Sequence, residues 1–214
     1  MSVRRSALLG LLALVFVACP KATPIVRHQT FALDPGALVK VAVVPFYPVR
    51  RAGLPGEPKS GPTITSADLV AHFVAEAMQE EGIQVIAPND VVIAFEGVGQ
   101  VLPRQDVGTV AALLAEEFGA TAVVLGTVSR YRDRSGEALG SRSPASVHFE
   151  LTLYRAPGGE RLWGAHFDQT QPAVGENLLV ARQYPGFGTR WLSAAELARW
   201  GAKRIVDELP EGLW

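Results

Sequence analysis

The chain predicts a single α/β domain with a mixed sheet, in which a parallel βαβ part is followed by an antiparallel hairpin and a C-terminal helix. Three observations carry this. Short β-branched runs alternate with stretches of helical period through the first half of the chain. Two alternating apolar runs, at 147–153 and 163–167, flank Pro157-Gly158-Gly159, which is the pattern of a hairpin. A last amphipathic stretch opens on Ser193 and Glu196, spaced as a capping box.

The amino terminus comes first. Met1-Ser2-Val3-Arg4-Arg5 is a basic start, residues 7–18 form an apolar run, and Val17-Ala18-Cys19 closes it. That is the layout of a secretory signal peptide. The run is too short to span a bilayer as a helix, which takes about 20 residues. Residues 1–18 are therefore expected to be a signal, 19–37 a tether with scattered prolines and no period, and 38–210 the folded domain.

Residues 38–46 read as a buried strand, β-branched and stopped by proline. A long proline-rich loop follows at 47–63. Thr65-Ser66-Ala67-Asp68 suggests a capping box, and Val70, Phe73, Val74 and Ala77 then share one helical face that Gly82 ends. Residues 83–86 form a second strand. Asn89 or Asp90 caps a short helix through Phe95. Asp106 caps another, with Val107, Val110, Ala111, Leu114 and Phe118 on one face and Gly119 at its end. Residues 121–128 give the third strand, and 132–144 read as a polar loop. Helical crossovers make these three strands parallel.

In the hairpin, keeping both apolar sets on one face requires Leu153 opposite Trp163 and Phe149 opposite Phe167. The closing helix carries Leu197, Ala198, Gly201 and Ile205 inward and stops by Pro210.

Composition excludes some functions. With Arg4 and Arg5 gone from the 20 basic residues, 18 remain against 21 acidic ones, a net charge of −3. No nucleic-acid partner is implied by so small a field. The single cysteine allows no internal disulfide and no cysteine-based metal site. Nucleophile elbow, zinc-protease and phosphate-loop patterns are absent, so no enzyme activity and no cofactor are expected.

Two surfaces stand out. In the predicted register, His148 faces Asp168 and Glu150 faces His166 on the outer side of the hairpin, a set able to hold a divalent metal or to serve as a polar sheet surface. The glycine-spaced segment holding Tyr184, Phe187, Arg190 and Trp191 has the residue types of a partner surface, and equally those that fasten a loop to a core.

Val17-Ala18-Cys19 resembles a bacterial lipoprotein signal, with Phe16 where that signal usually has Leu. The resemblance implies lipid on Cys19 as the first residue of the mature chain. Pro20 differs from the Asp associated with inner-membrane retention, which implies the periplasmic face of the outer membrane. Val41-Ala42-Val43-Val44-Pro45-Phe46, Gly82-Ile83-Gln84-Val85 and Val124-Leu125-Gly126-Thr127-Val128 resemble successive motifs of the TolB amino-terminal and CsgG-like periplasmic lipoproteins, over roughly 39–209. That family includes secretion-pore subunits, peptidoglycan-synthase activators and exopolysaccharide-export lipoproteins. It implies a non-enzymatic accessory subunit of an envelope assembly or export machine. Such a subunit is anchored by lipid and binds envelope proteins, a second copy of the chain included. No amphipathic hairpin pair suited to a membrane pore is evident, so pore activity is not carried over. The alternative is a periplasmic metal-binding protein or enzyme using His148, Glu150, His166 and Asp168.

Overall fold

The domain is organised by β5 (Ala122–Arg132), the strand from which the parallel and antiparallel halves of the sheet diverge. In the computed structural model, the residues described are 26–32, 34–49, 62–97, 99, 102, 106–137, 140–172, 183–185 and 189–213. On one side β5 pairs in parallel with β2 (Lys40–Val43), and β2 in turn with β4 (Gln84–Ile86). The two-residue β3 (Tyr47–Pro48) also runs parallel to β5, further along it. On the other side β5 pairs antiparallel with β8 (Ser146–Arg155), β8 with β9 (Arg161–Thr170), and β9 with β1 (Val26–Thr30). The order across the sheet is β1-β9-β8-β5-β2-β4.

The parallel half follows from helical crossovers. α1 (Ile64–Glu80) leads into β4; α2 (Pro88–Gly97) and α3 (Val107–Phe118) lead into β5. The start of α1 differs from the sequence expectation. Thr63, not Thr65, is the cap: its side chain accepts from the Ser66 amide, and the Ser66 hydroxyl accepts from the Thr63 amide. Several hydroxyls in a row can each cap, and the position that puts Val70, Phe73, Val74 and Ala77 into the core decides among them. Asp106 caps α3 as expected, and Gly119 ends it in the left-handed region at φ 65°.

Helices cover both faces, unequally. α1 and α4 (Ala194–Val206) lie on one face over Val41, Val43, Val124, Phe149, Leu153, Trp163 and Phe167. α2 and α3 lie on the other, over Ala42, Val44, Ile86 and Val123, and thus over the parallel half. The register sets this up, since side chains alternate between faces along each strand. Leu153 faces Trp163 and Phe149 faces Phe167, as the alternation required. Leu125 is only half-buried, packed at the edge of the cluster under α2 and α3.

Two stretches expected to be irregular contain strands. Residues 26–30, within the expected tether, are β1; four of these five residues are exposed, and pairing with β9 is what makes them a strand. Within 132–144, β6 (Ser135–Glu137) and β7 (Gly140–Ser143) form a two-stranded ribbon. The folded body also continues past Pro210 into a 3-10 turn, Glu211–Leu213, where Leu213 is fully buried. Among the described residues, no helix is long and apolar enough to cross a membrane.

Candidate functional site

Beyond the cover of α2 and α3, the second face of β5, β8, β9 and β1 forms, among the described residues, an open groove of about 510 Å³, with Val107 of α3 at its edge. That lies in the range of binding clefts. Leu125, Thr127, Glu150, Thr152, Gly164 and His166 form its floor, all on the face opposite the main core. Arg27 and Gln29 of β1 border one side, and Tyr47 also lines it. Phe31 and Arg161 close one end, the guanidinium lying 4.1 Å from the centre of the Phe31 ring. Such stacking fixes a long side chain that would otherwise sample many rotamers.

The residues considered for metal binding lie beside and within this groove. His148 is opposite Asp168 and Glu150 opposite His166, in the expected register. The side chains nevertheless disperse to separate partners. Asp168 binds Arg130, His148 Nδ1 bonds the Ser129 hydroxyl, and Glu150 accepts from the Thr127 hydroxyl at 3.1 Å. The two imidazole rings stand 6.3 Å apart, centre to centre. Among the described residues no group of three or more His, Cys, Asp or Glu side chains converges as a metal site. The metal-site alternative is corrected accordingly: a β-bulge between Val128 and Arg130 brings Ser129 and Arg130 to the face, and they take up His148 and Asp168.

The aromatic segment divides. Tyr184 turns inward, is only 3% exposed, and packs against Trp200 with ring centres 4.7 Å apart. Its hydroxyl donates to Gln169 at 2.9 Å, and burial pushes its pKa up to about 12. This ring is a core element and not part of an exposed surface. Phe187 and Cys19 lie outside the described residues. Arg190 is exposed and reaches Glu196 at 2.7 Å; Trp191 is half-buried. The hydrogen bond from Arg190 is the main reason that the Glu196 carboxyl is held down to about 2, with bonds from Ser193 adding to it. Beside these residues, Phe73, Leu192, Trp200 and Pro185 line an open notch of about 320 Å³ between α1 and α4.

No family model matches the chain, and no curated protein matches it. Solved structures do. The PelC dodecamer from Paraburkholderia phytofirmans is 15% identical over 84% of this chain and 92% of that one, with a TM-score of 0.46. Lipoprotein GNA1162 from Neisseria meningitidis is 20% identical over 62% and 83%, at 0.44. The LpoB C-terminal domain from Escherichia coli is 15% identical over 64% and 87%, at 0.41. The likeness is one of shape at low identity.

Sequence reasoning missed two features. Gln171 is 2% exposed; its amide donates to the Arg190 carbonyl at 2.8 Å, and its oxygen accepts from the Leu192 amide at 2.7 Å. One buried side chain thereby holds the backbone on which Arg190 and Trp191 are presented. The groove was missed as well, because it depends on β1 joining β9, and β1 has no period to announce it.

Proposed function

We propose that this protein is a lipid-anchored accessory subunit of a cell-envelope assembly or export machine, acting by protein binding and not by catalysis. Its anchor is lipid on Cys19, and its place is the periplasmic face of the outer membrane. The observation that carries the binding reading is the notch between α1 and α4. Its lining sets the apolar Phe73, Leu192 and Trp200 beside the charged Arg190, Glu196 and Arg199, and Gln171 holds the Arg190 backbone and the chain through Trp191 that follows it. Trp200 beside Arg190 and Arg199 in one cleft is the composition of a binding hot spot. The basic start, apolar run and Cys19 support the anchor.

The test has two parts. Cys19→Ala should move the protein from the membrane pellet to the soluble fraction, because stable anchoring needs acyl chains on that residue. Trp191→Ala should keep the melting temperature and lose capture of the partner from envelope extracts, a hot-spot truncation costing more than about 2 kcal/mol. Equal pellet yields for Cys19→Ala and wild type would refute the anchor. A Trp191→Ala variant that is less stable yet still captures the partner would assign Trp191 to packing.

A further inference from the structure

On the covered face of the molecule, arginines are matched: Arg190 pairs with Glu196, Arg199 with Glu76, and Arg204 with Asp207 and Glu208. On the open face Arg130 pairs with Asp168, but within the groove the pattern changes. Arg27 and Arg161 both line the groove, and neither has a carboxylate partner among the described residues. Arg161 is instead held against Phe31. The lining includes one carboxylate, Glu150, which is engaged by Thr127. The groove thus presents two cations against one anion, with His166 as a further polar contact.

The spacing of the cations narrows the ligand. Arg27 sits opposite His166, and Arg161 lies five positions earlier on the same strand. At about 3.3 Å per residue the two arginines mark ends roughly 16 Å apart. An anion the size of phosphate would reach one of them. An extended peptide of about five residues would reach both. The floor between them is low: Gly164 has no side chain, and Thr127 and Thr152 offer hydroxyls.

We infer that this groove docks an extended acidic peptide segment of the partner, with carboxylates at Arg27 and at Arg161. The inference rests on the protein-binding reading and adds to it a second surface, on the opposite face of the sheet from the notch. Charge complementarity and length set its specificity; the apolar floor at Leu125 accepts one side chain between the charges.

The experiment uses the full chain in detergent and a fluorescein-labelled hexaglutamate peptide, read by anisotropy. Hexaglutamate should bind, and diglutamate should bind far more weakly. Arg27→Gln and Arg161→Gln should each weaken binding, and the double variant by about tenfold. Gln29→Glu leaves both arginines in place, adds an anion at the groove edge, and should also weaken it. Raising salt should weaken wild-type binding. No binding of hexaglutamate, equal binding by the double variant, or equal affinity for diglutamate would each overturn the inference. Capture of the partner from envelope extracts separates the two readings. A double variant that still captures the partner overturns the groove inference and leaves the accessory-subunit reading in place. A wild type that captures no partner, while hexaglutamate binding still needs both arginines, refutes that reading and supports the acidic-ligand groove.

Discussion

Tyr184 shows how one side chain can be misjudged from its type alone. An aromatic with a polar tip suits a partner surface and a core equally, and only the tertiary packing against Trp200 decides for the core. The decision has a measurable consequence. Burial raises the folded pKa of Tyr184 to about 12, above the 10.0 usual for a tyrosine. A raised folded pKa means that the neutral hydroxyl is favoured in the folded state. Its stabilising contribution is therefore complete below pH 10 and is lost as pH rises from about 10 to about 12. Wild type should lose melting temperature across that window more steeply than Tyr184→Phe. At neutral pH the variant should be less stable by about 1 kcal/mol, the net value of the bond to Gln169. Parallel curves for the two proteins between pH 9 and 12 would contradict the burial of this hydroxyl. Of the other residues in that segment, Arg190 is exposed and Trp191 half-buried, a difference that residue type and neighbouring glycines do not disclose.

At the scale of elements, legibility followed periodicity. The hairpin register could be read because large apolar residues alternate on both β8 and β9, and slipping by one position would turn every one of them to solvent. α4 could be read from its cap and stripe. β1 could not, for its strand state comes from the partner edge and not from its own residues. The β6–β7 ribbon was hidden for the same reason, its sequence being Gly- and Ser-rich. α4 also supplies a sharp test. A Cβ added at Gly201 would lie 2.7 Å from Phe167 Cδ1, so this glycine is what seats the helix on the sheet. Gly201→Ala raises intrinsic helix propensity by roughly 0.8–1.0 kcal/mol. Overpacking costs typically about 1–3 kcal/mol. Urea unfolding should show net destabilisation, and a gain in stability would place α4 further from Phe167.

For the molecule as a whole, the two faces of the sheet share strands but not cover. β2 is buried on both faces: Val43 points to the α1 and α4 side and Ala42 to the α2 and α3 side, each fully enclosed. Val43→Asp would place an unpaired charge between the sheet and α1, where nothing can solvate it. Both halves should unfold together, with loss of the cooperative thermal transition; an unchanged transition would show that β2 is not central. That β2 is central was legible, since an unbroken β-branched run implies burial on both faces. The groove was not, because its cations become noticeable only once nearby arginines such as Arg130 and Arg155 are seen paired with acids.

The early start of β1 also limits how far the domain can travel. The sheet's first strand starts at Val26, so the chain from Cys19 to the sheet has a contour of seven residues, at most about 25 Å. With acyl chains on Cys19, that leash would keep the edge strand, and Arg27 directly after its first residue, close above the lipid headgroups. A protein segment reaching the groove would then have to come from something already standing at the membrane surface, not from the distant side of the periplasm.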